Sequence, residues 1–163
     1  MKVEGRNAVR ELILNGNTTI DKVIVQNNIH DSVISEIVDL MKQKKINKGA
    51  SIVFIASVAA DSPSVGNALY SASKGAVISY ANCLMAELAP RNIRVNCISP
   101  AMVWTDLIYK GGLTENELKE DEQYYPLKRY GRPDDIAYLA IYMLSDASVW
   151  MTGSNVKISG GFR

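Results

Sequence analysis

Apolar residues along the chain fall into short continuous runs that alternate with stretches of helical spacing. Four runs predict strands, at residues 22–26, 51–57, 93–99 and 155–159. The run at 51–57, SIVFIAS, is nearly continuous, which is typical of a strand covered on both faces of a sheet. Strands separated by helices favour parallel pairing through right-handed crossovers. The pattern therefore predicts an α/β fold in three layers, with about four parallel strands flanked by helices.

Helical spacing of apolar residues predicts helices at residues 7–15, from Asp31 to Met41, and from Pro133 to about Leu144. A further helix begins near Tyr70, and its inward face is predicted to consist of Val77, Tyr80, Ala81, Leu84 and Leu88. Residues 104–130 are less regular and rich in tyrosine. We interpret them as a mobile loop with a short helix.

The composition indicates one globular domain that spans residues 1–163. Hydrophobic residues make up 47% of the chain, and the formal net charge of +1 exerts no long-range attraction for nucleic acid or anionic lipid. No apolar run has the roughly 20 residues that cross a bilayer, and the first residues lack the apolar stretch of a secretory signal. Cys83 and Cys97 lie in unrelated segments and His30 is the only histidine, so we expect a cytoplasmic protein without a metal site.

Three polar side chains have the spacing of a proton-transfer site. Tyr70 and Lys74 are four residues apart in the stretch YSASKGAV, so both leave the same face of a helix. Ser57 lies at the carboxyl end of a predicted strand, where open α/β sheets bind their ligands. An ammonium group favours ionisation of a nearby phenol, and a serine hydroxyl can hold a carbonyl oxygen during the transfer. A tyrosine one turn from a lysine is nevertheless commonplace on helices, so this pair alone is weak evidence.

A series of further motifs makes the pair more specific. IAS ending at Ser57, YSASKGAV, APRNIRVNCISP, VWT, YGRPDDIA, LSDASVWMTG and ISGG follow one another at suitable intervals. As a set, over about residues 49–163, they resemble the catalytic half of the short-chain dehydrogenase/reductase family, and the 3-oxoacyl-carrier-protein reductases in particular. The resemblance implies a Rossmann-like half-fold. One departure is visible, because the Pro-Gly of the family here reads Pro100-Ala101, and an added Cβ could crowd a nicotinamide.

The resemblance also implies roles for individual residues. It makes Ser57 the hydroxyl that orients the carbonyl, Tyr70 the acid or base, and Lys74 both the cation that assists the tyrosine and a ligand of the cofactor ribose. Val103 and Thr105 match the family segment that contacts the nicotinamide amide and the phosphates. These residues form only part of a cofactor site, and all three catalytic residues could be vestigial.

The first part of the chain differs from that family. A dinucleotide is normally held by a glycine-rich turn before a helix, but no two of the 11 glycines are separated by one residue. The catalytic asparagine of the family has no clear counterpart in residues 31–45. Instead EGRNAV (4–9) and the segments after it, over about residues 3–46, resemble the start of the substrate-binding domain of SpoU/TrmH-type RNA 2′-O-ribose methyltransferases, an L30e-like α/β fold.

We therefore expect a chimera of engineered or recombinational origin, in which residues 1–48 are fused to 49–163. On this hypothesis the protein folds but has no native turnover, and no cofactor is expected. The first alternative is a working NAD(P)-dependent oxidoreductase that uses the serine, tyrosine and lysine. The second alternative is an RNA-binding module, although the excess of basic over acidic residues up to Lys48 is too small to favour a nucleic-acid partner.

The expected partner is a second copy of the chain. Removing the first half of a doubly wound sheet exposes the strand at 22–26 and part of one face of the sheet. Uncovered edges and faces tend to pair with another copy. The sequence therefore predicts a homodimer or larger oligomer, with neither a membrane nor a metal as partner.

Overall fold

The fold is built on a four-stranded, all-parallel sheet whose strands are adjacent in chain order. The computed structural model describes residues 20–26, 46–62 and 64–162. The strands are β1 (Ile20–Gln26), β2 (Ile46–Ile55), β3 (Arg94–Pro100) and β4 (Asn155–Ile158). The predicted α/β class and its four parallel strands are thus confirmed.

Three α-helices lie in the described part of the chain: α1 (Ala68–Leu88), α2 (Glu115–Asp121) and α3 (Pro133–Leu144). Helix α3 has the predicted bounds, because proline suits the first turn of a helix. None of the helices within the described ranges is long and apolar enough to cross a membrane. The helices predicted at 7–15 and 31–41 lie outside the described residues.

Helix α1 covers one face of the sheet. Side chains alternate along a strand, so Ile52 and Phe54 of β2 face α1 together with Val95 and Cys97 of β3. The buried stripe of the helix consists of Val77, Ala81, Leu84 and Leu88. Tyr80, also predicted on this face, is partly buried, and its ring meets that of Phe54 edge-on at 5.9 Å between centroids.

Helix α3 covers the opposite face. Val53 of β2 and Ile98 of β3 belong to one buried cluster with Met143 and Leu144 of α3. Ser51 is buried on the same side, where its hydroxyl donates a hydrogen bond to the backbone carbonyl of Met143 at 2.9 Å. Helices on both faces give the three layers that the continuous apolar runs predict.

A buried asparagine fixes the start of β4 against β3. The side-chain amide of Asn96 donates to the backbone carbonyl of Met151 at 2.8 Å, and its oxygen accepts from the backbone N–H of Ser154 at 3.0 Å. Because both ends of the amide are paired, its burial leaves no polar group unsatisfied.

The carboxyl ends of β2 and β3 lie side by side. Ile55 pairs with Ile98, and the backbone N–H of Ala56 donates to the carbonyl of Ile98 at 2.7 Å. Strand β2 ends at Ile55, two residues before the predicted end, so Ser57 belongs to the turn that follows. The residues after β2 and β3 therefore meet at the edge where open parallel sheets bind ligands.

Residues 104–130 have a small core of their own. Its buried members are Ile108, Leu118, Tyr125 and Tyr130. Helix α2 begins at a capping box, in which Thr114 Oγ1 accepts from the backbone N–H of Glu117 at 3.3 Å and Glu117 Oε2 accepts from the N–H of Thr114 at 2.7 Å. The predicted short helix is present, but the segment is packed around apolar side chains that the helical and strand periods do not reveal.

Candidate active site at the carboxyl edge of the sheet

Ser57 lies immediately after β2 in an extended conformation and caps a short 3₁₀ turn, Val58–Ala60. Its Oγ accepts a hydrogen bond from the backbone N–H of Ala59 at 3.2 Å, and the residue is only 9% exposed. The hydroxyl proton is not used by this bond. A serine held in this way can therefore still donate to a carbonyl oxygen placed beside it.

Lys74 is a buried lysine in the second turn of α1. It is 7% exposed, and its Nζ donates to the backbone carbonyl of Ile55 at 3.3 Å. Burial lowers the pKa of Lys74, because the charged form loses its hydration. An ammonium has three donors, so this contact at the end of β2 leaves donors for other groups.

Tyr70 lies in the first turn of α1 and is 44% exposed. The Nζ of Lys74 is 5.7 Å from the centre of its ring, within the range of a cation–π contact. The amine therefore contacts both the ring of Tyr70 and the carbonyl of Ile55, two residues before Ser57. The structure thus brings the lysine into contact with the tyrosine ring and with the end of β2, just before the turn that holds the serine. The catalytic roles of the three residues stay predictions.

Val103 and Thr105 follow β3 at the same edge of the sheet. Val103 forms an isolated parallel bridge with Gly131, where the N–H of Gly131 donates to the carbonyl of Met102 at 3.0 Å and its carbonyl accepts from the N–H of Trp104 at 2.9 Å. Thr105 is exposed. Among the described residues, no hydrogen bond links Val103 or Thr105 to the tyrosine or lysine, so they form a separate wall of the site.

Ala101, which replaces the glycine expected from the resemblance, directly precedes the segment Met102 to Thr105 that forms this wall. Its backbone N–H donates to the carbonyl of Ile158 at 3.1 Å. Its side chain is partly buried against the core of residues 104–130. The methyl group therefore contacts the core of residues 104–130. That it also crowds a nicotinamide stays a prediction.

Sequence reasoning missed one residue near this wall. Glu122 accepts two hydrogen bonds on Oε1, from the indole Nε1–H of Trp104 at 2.8 Å and from the backbone N–H of Tyr130 at 2.9 Å. The only sequence signal was the tyrosine-rich character of residues 104–130. No pattern pairs a carboxylate with a tryptophan 18 positions earlier in the chain.

A comparison with protein families identifies the class. The family model described as enoyl-(acyl carrier protein) reductase matches residues 27–163, and the chain therefore belongs to this group of short-chain dehydrogenases/reductases. A second model, described as RNA 2′-O ribose methyltransferase substrate binding, matches residues 2–48. Both predicted resemblances are thus confirmed, but the dehydrogenase match begins at residue 27 rather than near 49. Residues 27–48 match both models.

Curated relatives support the dehydrogenase assignment. An uncharacterized oxidoreductase of Methylorubrum extorquens is 40% identical over 121 residues, which are 74% of this chain and 49% of that protein. A 3-oxoacyl-[acyl-carrier-protein] reductase of Chlamydia pneumoniae is 36% identical over 114 residues, 70% of this chain and 45% of that protein. The chain thus spans about half the length of the curated relatives it matches.

Solved structures share the fold. A short-chain dehydrogenase family protein from Francisella tularensis has a TM-score of 0.81 at 27% identity, covering 99% of this chain and 79% of that one. A 7α-hydroxysteroid dehydrogenase complexed with NADH and 7-oxo glycochenodeoxycholic acid also has a TM-score of 0.81, at 24% identity, covering 96% of this chain and 70% of that one. The second likeness is one of fold alone. The predicted Rossmann-like half-fold is confirmed.

The described residues fit one end of a nicotinamide cofactor. Lys74 has donors beyond its bond to Ile55, which suit a ribose hydroxyl, and the exposed Thr105 has a hydroxyl at the same edge. The far end of a dinucleotide needs close backbone approach at a glycine-rich turn. No glycine pair with that spacing occurs in the 163 residues.

Proposed function

We propose that the chain carries the acid–base part of an NAD(P)-dependent oxidoreductase site that acts on a carbonyl or alcohol group. The observation that carries this proposal is the buried Lys74, whose Nζ joins the end of β2 to the ring of Tyr70. Membership of the family supports the same chemistry. The alternative oxidoreductase hypothesis is therefore preferred to a fold without turnover.

Ser57, Tyr70 and Lys74 have different roles in carbonyl reduction. A bound reduced nicotinamide would supply the hydride that forms the new C–H bond. The Ser57 hydroxyl donates to the carbonyl oxygen and fixes its position, while Tyr70 transfers its phenolic proton to that oxygen as the C–O double bond becomes single. The ammonium of Lys74 stabilises the resulting phenolate, which regains a proton from water, since Tyr70 is exposed.

The same groups perform the reverse reaction. The phenolate form of Tyr70 would take the hydroxyl proton of an alcohol, and a bound oxidised nicotinamide would accept the hydride from the same carbon. Lys74, Val103 and Thr105 are the residues that would hold the nicotinamide and its ribose. Contacts to the remaining phosphates and adenosine would have to come from other residues, so we expect the affinity of this chain for the cofactor to be low.

The test is oxidation of NADPH or NADH with a small β-keto ester, followed by absorbance, for the wild type and for Tyr70→Phe. The variant lacks the transferable proton, and we expect its rate to fall by a factor on the order of 100 or more. Tyr142→Phe is the matched control, because Tyr142 is 46% exposed on α3. Equal rates for the wild type and Tyr70→Phe would contradict the proposal.

A folded chimera without turnover is the second candidate. It is favoured by the matches of different parts of the chain to two different family models. It is also favoured by the absence of a glycine-rich turn from the sequence. A wild type that shows neither cofactor binding nor cofactor oxidation in this assay would support it. The cytoplasmic location and the absence of a nucleic-acid partner stay predictions.

A further inference from the structure

The wall formed by Met102 to Thr105 is attached to the rest of the protein through residues 122–131. Two backbone hydrogen bonds join it to Gly131, at 3.0 and 2.9 Å. A side-chain bond joins the indole of Trp104 to Glu122. The wall follows β3 as an irregular segment, so these attachments decide where Val103 and Thr105 lie.

Glu122 occupies the junction between α2 and the wall. It is the first residue of the 3₁₀ turn Glu122–Tyr124, directly after the last residue of α2. Its Oε1 accepts from both the indole of Trp104 and the backbone of Tyr130, at 2.8 and 2.9 Å. One carboxylate oxygen therefore binds both segments that meet at the Val103–Gly131 bridge, one through Trp104 and the other through Tyr130.

The two residues bonded to Glu122, Trp104 and Tyr130, also contact each other through their rings. The ring of Trp104 lies 5.4 Å from that of Tyr130, which is 1% exposed. The hydroxyl of Tyr130 donates to Asp121 Oδ2 at 2.6 Å, and burial followed by this bond raises the pKa of Tyr130. The end of α2 thus holds Tyr130 at its backbone and at its hydroxyl, and it holds Trp104 at its indole.

We infer that Glu122 is a positioning residue for the nicotinamide end of the cofactor, which it serves by fixing Trp104 and hence Val103 and Thr105. The inference rests on the proposed function. Glu122 acts through the wall and touches neither substrate nor tyrosine. A side-chain carbonyl or carboxylate oxygen has two lone pairs and can accept from two N–H groups at once, as Glu122 Oε1 does, so a single side chain can order this irregular segment.

A conservative change and a truncation at Glu122 have different expected effects. Glu122→Gln keeps an acceptor oxygen where both N–H groups already converge, so the wall is expected to stay in place. Glu122→Ala removes the acceptor from a partly buried backbone N–H and from an indole N–H, and unpaired donors of this kind are costly. We expect the wall to move in Glu122→Ala only.

The first readout needs no cofactor. In a Trp150→Phe background, which removes the 98% exposed tryptophan, Trp104 is the single indole emitter of the chain. Glu122→Ala is expected to shift its emission to longer wavelength, because the indole loses its partner and gains water, whereas Glu122→Gln keeps the wild-type spectrum. Glu120→Ala is the control, since Glu120 is an exposed carboxylate of α2.

The second readout is the dissociation constant for NADPH in the same set of variants. We expect it to rise about tenfold in Glu122→Ala and to change by less than about twofold in Glu122→Gln and Glu120→Ala. Trp104→Phe keeps the ring but lacks the N–H donor, so it should reproduce the loss if Glu122→Ala fails to fold. The rate at saturating cofactor should change less than the dissociation constant.

An unchanged Trp104 spectrum in Glu122→Ala would overturn the inference, as would an unchanged dissociation constant in both Glu122→Ala and Trp104→Phe. An equal loss in Glu122→Gln and Glu122→Ala would also overturn it, because the charge rather than the position of the acceptor would then matter. A wild type that binds no NADPH contradicts the proposed function, and the Trp104 spectra then still decide whether Glu122 fixes the wall.

Discussion

Burial affects the two cysteines differently, although the sequence presents them alike. Cys97 is 2% exposed in β3, and burial raises the pKa of its thiol to about 11, because the thiolate would lose its hydration. Cys83 lies on the exposed side of α1. The unfolded chain releases the Cys97 proton near pH 9 and the folded chain holds it to about 11. Between these values the unfolded state binds fewer protons, so the stability falls as the pH rises.

We predict that Cys97→Ala reduces this loss of stability between pH 9 and pH 11 by about 2 kcal/mol relative to the wild type. Urea unfolding at the two pH values measures the difference. Cys83→Ala, which removes a thiol from the exposed side of α1, is the control. If the free energy of unfolding depends on pH in the same way in both alanine variants, burial of Cys97 is not the cause of the loss.

Helix α1 both packs against the sheet and carries two residues of the candidate site. Its buried stripe packs on the sheet, and the same helix carries Tyr70 and Lys74 at the edge of the sheet. Leu84 is 1% exposed, whereas Leu69 is 89% exposed near the start of the helix. The stability of the site therefore depends on buried positions farther along the same helix.

Leu84→Ala is expected to lower the free energy of unfolding by roughly 2–5 kcal/mol, because it leaves a cavity between α1 and the sheet. Leu69→Ala makes the same chemical change in the same helix, and we expect an effect within about 0.5 kcal/mol. Denaturant unfolding of both variants gives the comparison. Similar losses in the two variants would contradict the packing of Leu84 between α1 and the sheet.

How far the sequence predicts each element depends on whether its signal is local. Helix α3 was predicted with its observed bounds, because its proline and apolar spacing are local signals. Strand β2 begins at Ile46, five residues before the predicted start at Ser51. Ile46 pairs with Ile20 of β1 ahead of an irregularity in the register, and such pairing is a tertiary effect. The site residues Ser57, Tyr70 and Lys74 were predicted from motifs, whereas Glu122 depends on contacts distant in sequence.

At the scale of the whole molecule, the described surface carries large apolar side chains that a second copy could cover. Tyr138 and Ile141 of α3 are 71% and 62% exposed, and Trp150 beyond the helix is 98% exposed. Tyr138 and Ile141 are three residues apart and so lie on the same side of the helix, and neighbouring exposed apolar side chains can mark an interaction surface. The homodimer or larger oligomer expected from the sequence stays a prediction.

We predict that light scattering gives a mass of at least twice 17.9 kDa at high protein concentration. Ile141→Glu should lower that mass, because a charge at the contact would have to be desolvated. Ala86→Glu, on the exposed side of α1, provides the comparison for an added charge elsewhere. A wild type that stays a monomer would exclude self-association as the means of covering this surface.

We propose that the carboxyl edge of this sheet binds a nicotinamide cofactor next to Tyr70 and that Lys74 contributes to this binding. Calorimetric titration with NADPH and with NADH tests it most directly, for the wild type, for Lys74→Met and for Lys119→Met, whose lysine is exposed on α2. We expect saturable binding of at least one cofactor, lost or strongly weakened in Lys74→Met and unchanged in Lys119→Met. Binding that is absent from the wild type, or equally strong in Lys74→Met, would contradict it.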